Sequence, residues 1–465
     1  ALSSAASDVY KRQTFMCLEQ YIHINPHVLI YRYPNEQYVA VIIKSFGTET
    51  KRSIKDVKTD AIKILKLING ETNIAAFIKI VQEKYDIDEK SILKFIEDSI
   101  DTGILYLDDT SNKQELKIVG DGKLILPRHA TVEITELCNL KCVYCYNEAS
   151  PYKGRHMPLK DVKKIFETLS ENGVTVLEIS GGEPMIHPNI KEILEEAFKY
   201  FNWVAIISNG VYFPKNILPV LKDNRKKFGG IQISIDGSNE EVSEKMRQVK
   251  NTFSKTMDTI KYLKENDFLV RVVIVLTEDN VEDIENTCNL MRKEGIKHFG
   301  ISISEEWGRG KNIENESNIL GKSYKSYFKA KYGDLLRNIN EKYRDIVFND
   351  KVLKNVNISE IKNCGAGWQT IAVTPNGDVE ICAPAKIKIG NIFSQDYKDI
   401  FSSKLVQKLS KVDFKEGREK FCLYCEDVSD CAMCYSKMLM VNEHRIASGR
   451  ELCPMIKTYG LEELI

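Results

Sequence analysis

The chain has 465 residues, 43% of them hydrophobic, and Lys plus Arg equals Asp plus Glu at 66 each. That length fits roughly three domains with sizeable cores, and the even charge excludes a global field that would draw in nucleic acid or an anionic membrane. Twelve Cys, with no secretory segment and no apolar run approaching 18 residues, point to the reducing cytoplasm, where such thiols serve metal or redox chemistry.

Residues 1–15 are set aside as a non-native or disordered leader. ALSSAASDVYKRQ carries no hydrophobic period continuous with the residues after it and resembles translated sequencing-adapter sequence, so Met16 reads as the start. In residues 16–115, HVLIYRY and YVAVIIKS are two β-rich runs separated by the turn-prone PNEQ. After Thr59, Ile62, Ile64, Leu65, Leu67 and Ile68 recur at helical spacing, and Gly70 is expected to end that helix. Thr72 with Asn73 starts a second helix, a third follows Asp88, and GILYL reads as a final strand. Strands plus three short helices predict a winged-helix-like domain. Its charges are mixed and no helix has an Arg-rich face, which disfavours a DNA reader. The segment resembles the precursor-recognition element at the front of enzymes that modify ribosomally made peptides. That resemblance implies a leader peptide added as a strand to an exposed sheet edge by residues 16–110, which raises the local concentration of the core peptide at a distant active site. A purely structural cap is the rival.

Over residues 125–345 strands and helices alternate. ATVEITEL, VTVLEISG, WVAIISNG, IQISIDG, LVRVVIVLT and HFGISIS are six β-rich runs, with amphipathic stretches such as LKDVKKIFETLSENG between them. This order predicts a parallel sheet with right-handed crossovers, whose functional groups belong at the carboxyl ends of the strands. Directly after the first run, CNLKCVYC spaces Cys138, Cys142 and Cys145 as Cys-x3-Cys-x2-Cys. Three such thiolates can hold three irons of a 4Fe-4S cubane and leave the fourth open; a zinc knuckle or three buried thiols are the alternatives. SGGEP ends the second run 36 residues beyond Cys145. Gly181 and Gly182 permit close backbone approach there, and Glu183 offers a carboxylate to a cation.

The triplet with Tyr144 before its last Cys resembles the radical S-adenosylmethionine (SAM) superfamily, which implies an α/β fold with a partial (β/α)6 radical SAM barrel and SAM on the open iron. By that resemblance Glu183 receives the SAM ammonium, and Ser208, Asn209, Ser234 and Asp236, at the ends of the third and fourth strands, contact its methionine and ribose. Strand capping by short polar residues is the rival. Arg247 matches an Arg near the SAM carboxylate, against a solvated helix charge. Gly308, Arg309 and Gly310 line a substrate channel or form a loop with a solvated Arg.

In residues 355–465, Cys364 and Cys382 bracket CGAGWQTIAVTPNGDVEIC, followed by Cys422, Cys425, Cys431, Cys434 and Cys453. The array resembles the SPASM iron-sulfur domain of peptide maturases, except that its last gap, between Cys431 and Cys434, is two residues where three are usual. Seven thiolates cannot fill two four-coordinate cubanes. The resemblance implies that Cys422, Cys425, Cys431 and Cys453 close one and that Cys364, Cys382 and Cys434 leave the other open; zinc in a four-thiolate site competes for part of the array. Cys17 and Cys288 read as plain thiols, Cys288 packed within a helix.

PRHATVEIT, EISGGEPMIHPN, WGRGKNI and CGAGWQTIAVTPNGDV together resemble the subtilosin-type sactipeptide maturases. That family resemblance implies SAM, three 4Fe-4S clusters, a ribosomally made precursor peptide and a flavodoxin- or ferredoxin-type electron donor. The implied reaction is hydrogen abstraction by a 5'-deoxyadenosyl radical and a thioether from Cys sulfur to carbon, at Cα. Metal binding deprotonates a thiol outright, so no dedicated base is needed, and His156, His187 and His444 read as structural. Alternatives are other SPASM chemistries, namely side-chain thioethers, carbon-carbon crosslinks or formylglycine, and a non-catalytic electron carrier.

Overall fold

A computed structural model of the chain describes residues 17–33, 36–46, 49–120, 122–313, 323–347, 363–423 and 434–464, together with Cys425, Asp427 and Cys431. The adapter-like stretch and Met16 lie outside the described residues. Two compact units divide between Leu124 and Ile125.

In the first unit, β2 (Val28–Tyr33) and β3 (Gln37–Phe46) pair antiparallel, with Val28 opposite Ile42 and Tyr33 opposite Gln37. They are the two runs read from the sequence. β4 (Glu49–Val57) and the two-residue β6 (Ile118–Val119), which the sequence did not mark, flank them in the order β4-β3-β2-β6. β1 (Tyr21–Ile24) pairs antiparallel with β5 (Leu105–Asp108). Helices α1 (Thr59–Leu65), α2 (Ile74–Tyr85) and α3 (Glu89–Thr102) follow β4. Asn73 caps α2 by accepting from the Ala76 amide at 2.9 Å, and Asp88 caps α3 by accepting from Ser91 at 3.0 Å; each cap satisfies an otherwise orphaned donor. Gly70 does not end α1. The helix closes at Leu65, and Gly70, at φ +74°, instead lets the chain pass close to the backbone at Asn112: a Cβ there would sit 2.0 Å from the Asn112 carbonyl. Ile22, Ile30, Ile42, Phe77, Val81, Ile92 and Ile96 share one core.

The second unit contains the six expected strands: β7 (His129–Glu133), β8 (Val176–Ser180), β9 (Trp203–Ser208), β10 (Phe228–Ser234), β11 (Val270–Leu276) and β12 (Phe299–Ile303). They lie side by side in chain order and all parallel. The crossovers carry α4 (Leu159–Glu171), α5 (Ile190–Tyr200), α6 (Leu218–Asp223), α7 (Glu240–Arg247), α8 (Phe253–Glu265) and α9 (Ile284–Lys293); α10 (Tyr324–Lys342) follows β12. β9 and β11 alternate between buried and less buried positions. In β7, Ala130 and Val132 join Val162, Ile165, Phe166 and Leu169 of α4 in the core, at about 1.5–3 kcal/mol per fully buried aliphatic side chain. Thr131 and Glu133 therefore occupy the opposite face, and Cys288 is packed at 0% exposure within α9.

The C-terminal segment extends this sheet. β13 (Thr370–Val373) runs parallel to β7, and β14 (Asp378–Glu380) and β15 (Lys388–Asn391) continue antiparallel, giving nine strands. Arg128 and His129 bond the Gln369 and Thr370 side chains at 2.7 and 2.6 Å across the seam. α11 (Tyr397–Ser402), α12 (Lys404–Lys411), α13 (Tyr435–Ala447) and α14 (Pro454–Tyr459) follow, and Ala366, Ile381, Leu409, Phe414, Tyr435, Leu439 and Ile456 form a second small core. Among the described residues no helix is long and apolar enough to cross a membrane.

Candidate active site at the carboxyl ends of the parallel strands

The Cys138–Cys145 loop leaves the end of β7 and is clasped by backbone from three sides. From β8, the Gly182 amide donates to the Thr135 carbonyl at 2.7 Å and the Glu183 amide to Leu137 at 2.9 Å. Contact this close admits no side chain: Gly181 sits at φ +134°, and a Cβ on Gly182 would lie 2.2 Å from the Leu137 carbonyl. From α7, the Met246 and Arg247 carbonyls accept from Val143 at 3.0 Å and Lys141 at 3.1 Å, so the loop's amides satisfy carbonyls the helix end leaves open. From the loop after β12, Arg309 donates to the Cys142 carbonyl at 2.8 Å and to Ala149 at 2.9 Å, while its own amide donates to Cys145 at 3.0 Å. Arg309 is thus a brace of the cysteine loop, which overturns the solvated alternative.

The loop brings Cys138, Cys142 and Cys145 into one small apolar group with Leu140 and Ala149. Burial, reinforced by the nearby Glu183 charge, pushes the Cys138 thiol up to about 12, and burial likewise raises Cys142. Thiols held this far above neutrality are poor free nucleophiles but fit a metal cluster, whose charge expels their protons. Cys138 Sγ accepts from the Leu140 amide at 3.4 Å and from Asn209 Nδ2 at 3.7 Å.

Glu183 is fully buried. Its Oε1 accepts from Ser208 Oγ at 2.8 Å and the Met185 amide at 2.9 Å, and its Oε2 from the Asn209 amide at 2.6 Å. Burial outweighs these bonds and lifts the carboxyl to about 7. Ser208 and Asn209 are therefore bound to Glu183, and Asn209 also reaches Asn139 Oδ1 at 2.7 Å. At the end of β10, Asp236 accepts from Tyr144 at 2.7 Å and from Arg247 Nε at 2.7 Å, with side chains 0% and 1% exposed for Asp236 and Arg247. Arg247 also donates to the Asn209 carbonyl, to Thr256 Oγ1 at 3.0 Å and to the Ser234 carbonyl. The solvated reading of Arg247 is thereby overturned: the guanidinium spans the ends of β9 and β10. Ser234 contributes its carbonyl to this network.

Glu133 was not singled out from the sequence. It is 7% exposed, accepts from Asn147 at 2.8 Å and Tyr146 at 3.4 Å, and burial raises its pKa. The signal was present, since Glu133 alternates with the core-facing Val132 at the carboxyl end of the first strand. Of the histidines, His187 bonds the Met157 carbonyl at 2.9 Å and His444 bonds Glu306 at 3.1 Å.

In the C-terminal array the thiols sort into two groups by their mutual electrostatics. Cys431 is raised by burial and then by Cys453, Cys425 and Cys422. Cys382 is pushed up to about 12 by burial, with Cys434 and Cys364 adding to the effect. The Cys425 amide donates to the Cys422 carbonyl at 3.1 Å and the Cys434 amide to the Cys431 carbonyl at 3.0 Å, and the Cys453 amide donates to Asn442 Oδ1 at 2.8 Å. Arg445 places Nη1 4.0 Å from Cys425 Sγ while pairing with Asp427 at 2.8 Å. Among the described residues no three His, Cys, Asp or Glu converge as the ligands of a single ion do.

Comparison with known proteins gives concordant matches. The profile of the Radical SAM superfamily matches residues 132–291, and that of SPASM, described as an iron-sulfur cluster-binding domain, matches residues 364–434. The antilisterial bacteriocin subtilosin biosynthesis protein AlbA of Bacillus subtilis is 32% identical over 366 residues, 78% of each chain. The sporulation killing factor maturation protein SkfB of the same organism is 23% identical, covering 62% of this chain and 68% of its own. Streptococcus suis SuiB bound to its precursor peptide SuiA superposes with a TM-score of 0.61 at 15% identity, over 90% of this chain and 97% of that one.

Proposed function

The chain belongs to the radical SAM peptide maturases that carry a SPASM domain, and from that premise we propose that it forms thioether crosslinks from cysteine sulfur to Cα in a ribosomally made precursor peptide. The observation that carries this reading is the pairing of a buried, cation-seeking Glu183 with a three-thiol loop, alongside a second three-thiol group at Cys364, Cys382 and Cys434 that has no fourth cysteine. Three 4Fe-4S clusters fit these thiols: Cys138, Cys142 and Cys145 hold one, Cys422, Cys425, Cys431 and Cys453 another, and the remaining three a third. When bound, the clusters and SAM supply one-electron cleavage of the sulfonium and the 5'-deoxyadenosyl radical that takes a hydrogen atom from the peptide.

The chain's own residues do the positioning. Glu183 takes the SAM ammonium, fixed in orientation by Ser208 and by the Met185 and Asn209 amides. Gly181 and Gly182 bring that carboxylate against the cysteine loop. Tyr144, Ser234, Asp236 and Arg247 hold the strand ends that face the SAM methionine and ribose. Residues 16–115 form the precursor-recognition domain, 125–345 the barrel and 355–465 the SPASM domain. The leader adds a strand to a free edge of the first unit's sheet, where β4 and β6 are the outer strands. Electrons come from a flavodoxin- or ferredoxin-type donor in the cytoplasm.

The test is anaerobic incubation of the cluster-loaded protein with SAM, dithionite and a short Cys-containing candidate precursor peptide. Formation of 5'-deoxyadenosine with a loss of two mass units per crosslink is the expected result. 5'-Deoxyadenosine with an unchanged peptide mass would overturn the thioether assignment, and absence of 5'-deoxyadenosine would favour an electron carrier. Removal of residues 16–110 is expected to abolish precursor binding and to spare SAM cleavage.

A further inference from the structure

Beside Cys434, two ammonium groups share one carboxylate in a place where water is scarce. Lys437 Nζ lies 3.0 Å from Glu305 Oε1 and Lys325 Nζ 3.5 Å from the same oxygen, with side chains only 21%, 15% and 24% exposed for Lys437, Lys325 and Glu305. The three come from separate elements: Glu305 from the loop after β12, Lys325 from the start of α10 and Lys437 from the first turn of α13. Glu306, the next acid along the chain, is committed to His444 at 3.1 Å, and Lys329 adds to the positive field at Lys325.

A staple between the barrel and the C-terminal helices would need one lysine, and the second weakens it. Two ammoniums against one carboxylate leave a net positive charge, and burial, then the neighbouring Lys437, push the Lys325 ammonium down to about 8. Such an arrangement calls for an anion. Lys437 stands three residues after Cys434, the N-cap of α13, so both sit at the amino end of that helix. The amino end of the 13-residue α13 adds its positive dipole at the same point. In the ligand assignment proposed above, the group that includes Cys434 has three cysteines where the other C-terminal group has four.

We propose that Lys325 and Lys437, bridged by Glu305, form a cationic seat that holds a substrate cysteine as its thiolate beside the Cys364, Cys382 and Cys434 group. The inference rests on the peptide-maturation reading and adds to it the residues that stabilise the incoming negative charge. The thiol proton leaves to solvent as the thiolate is bound, and no electron is transferred. Lys325 and Lys437 are positioning residues.

The probe is N-acetyl-L-cysteinamide, titrated into oxidised, cluster-loaded protein saturated with SAM so that the barrel site is occupied, and followed by visible absorption. A saturable spectral change is expected, absent with N-acetyl-L-serinamide. Lys437→Met and Lys325→Met are each expected to weaken it about tenfold, as loss of a charged partner does, with Lys437→Arg restoring it to within about threefold. Raising salt is expected to weaken binding to the unaltered protein, a measurement that does not depend on whether a variant folds. Met variants with full iron content and unaltered titration, salt-independent binding, or an equal response to N-acetylglycinate would each overturn the proposal. Crosslinking by the unaltered protein reports separately on the parent reading: if crosslinks form but the titration ignores both lysines, this inference alone fails.

Discussion

The two cysteine regions are built by opposite strategies. The Cys138–Cys145 loop spans eight residues and is gripped from outside by β8, α7 and Arg309, through bonds whose sequence separations run past 160 residues. The C-terminal array draws its thiols from residues 364 to 453, and Cys382, Cys422, Cys431 and Cys453 pack on a small core around Tyr435 and Leu439. The first region is held by the strand ends of a large sheet, whereas the second joins that sheet only through β13 to β15 and otherwise rests on its own small core, so equal chemical changes are expected to have unequal consequences.

The sharpest break in that comparison comes from the ligands. Cys138→Ala is expected to reduce 5'-deoxyadenosine formation, measured chromatographically, to the level without enzyme. Cys364→Ala is expected to retain 5'-deoxyadenosine formation while the peptide's two-mass-unit loss disappears. If Cys364→Ala also stopped SAM cleavage, the two regions would not be separable. Next in size is Arg247→Met, which strands the buried Asp236 without its partner; losing one member of such a pair costs about 3–5 kcal/mol. A lower urea midpoint with weakened SAM binding is expected, and an unchanged midpoint would show that the guanidinium does not brace the strand ends.

The contrast also explains what the sequence could and could not reveal. The six parallel strands were legible because apolar, β-branched runs such as LVRVVIVLT alternate along the chain with amphipathic helical stretches, the order of a parallel sheet with crossovers. Cysteine spacing and the GGEP turn were legible because their constraint is local. The braces were not: Arg309 reads as a solvated charge in a glycine-rich loop until the fold brings Cys142 beside it, and Arg247 looks like a helix-surface residue until β9 and β10 supply its acceptors. Gly70 was misread for the same reason, since its positive φ serves a contact with Asn112, 42 residues on, and not the end of α1. The joining of β13 to β7 likewise depends on a pairing across about 240 positions that no local period encodes.

A milder test concerns the barrel side alone. Burial holds Glu183 near 7, above its ordinary 4.5. The folded, ligand-free chain therefore binds this proton more tightly than the unfolded chain does, and its stability rises as pH falls from about 7 toward 4.5. SAM needs the carboxylate form, so its affinity moves the other way. Calorimetry is expected to show SAM binding about tenfold weaker at pH 6 than at pH 8, and Glu183→Gln should bind poorly with little pH dependence. A flat profile in the unaltered protein would mean that the ammonium is received elsewhere.

The smallest expected effect lies in the C-terminal array. Arg445 and Arg450 both pair with Asp427, at 2.8 and 3.2 Å, but only Arg445 also approaches a thiol, Cys425 at 4.0 Å. These pairs are partly exposed, so either Arg→Met change is expected to cost about 1 kcal/mol or less, well below the Arg247 effect. Donors to cluster sulfur help set reduction potential. Arg445→Met is therefore expected to shift one cluster's midpoint to more negative values in a redox titration, while Arg450→Met leaves it in place. Equal shifts from both would assign the effect to Asp427 and general charge. A shift from Arg445 alone would show that this array, too, has one brace that acts on sulfur, as Asn209 does at Cys138.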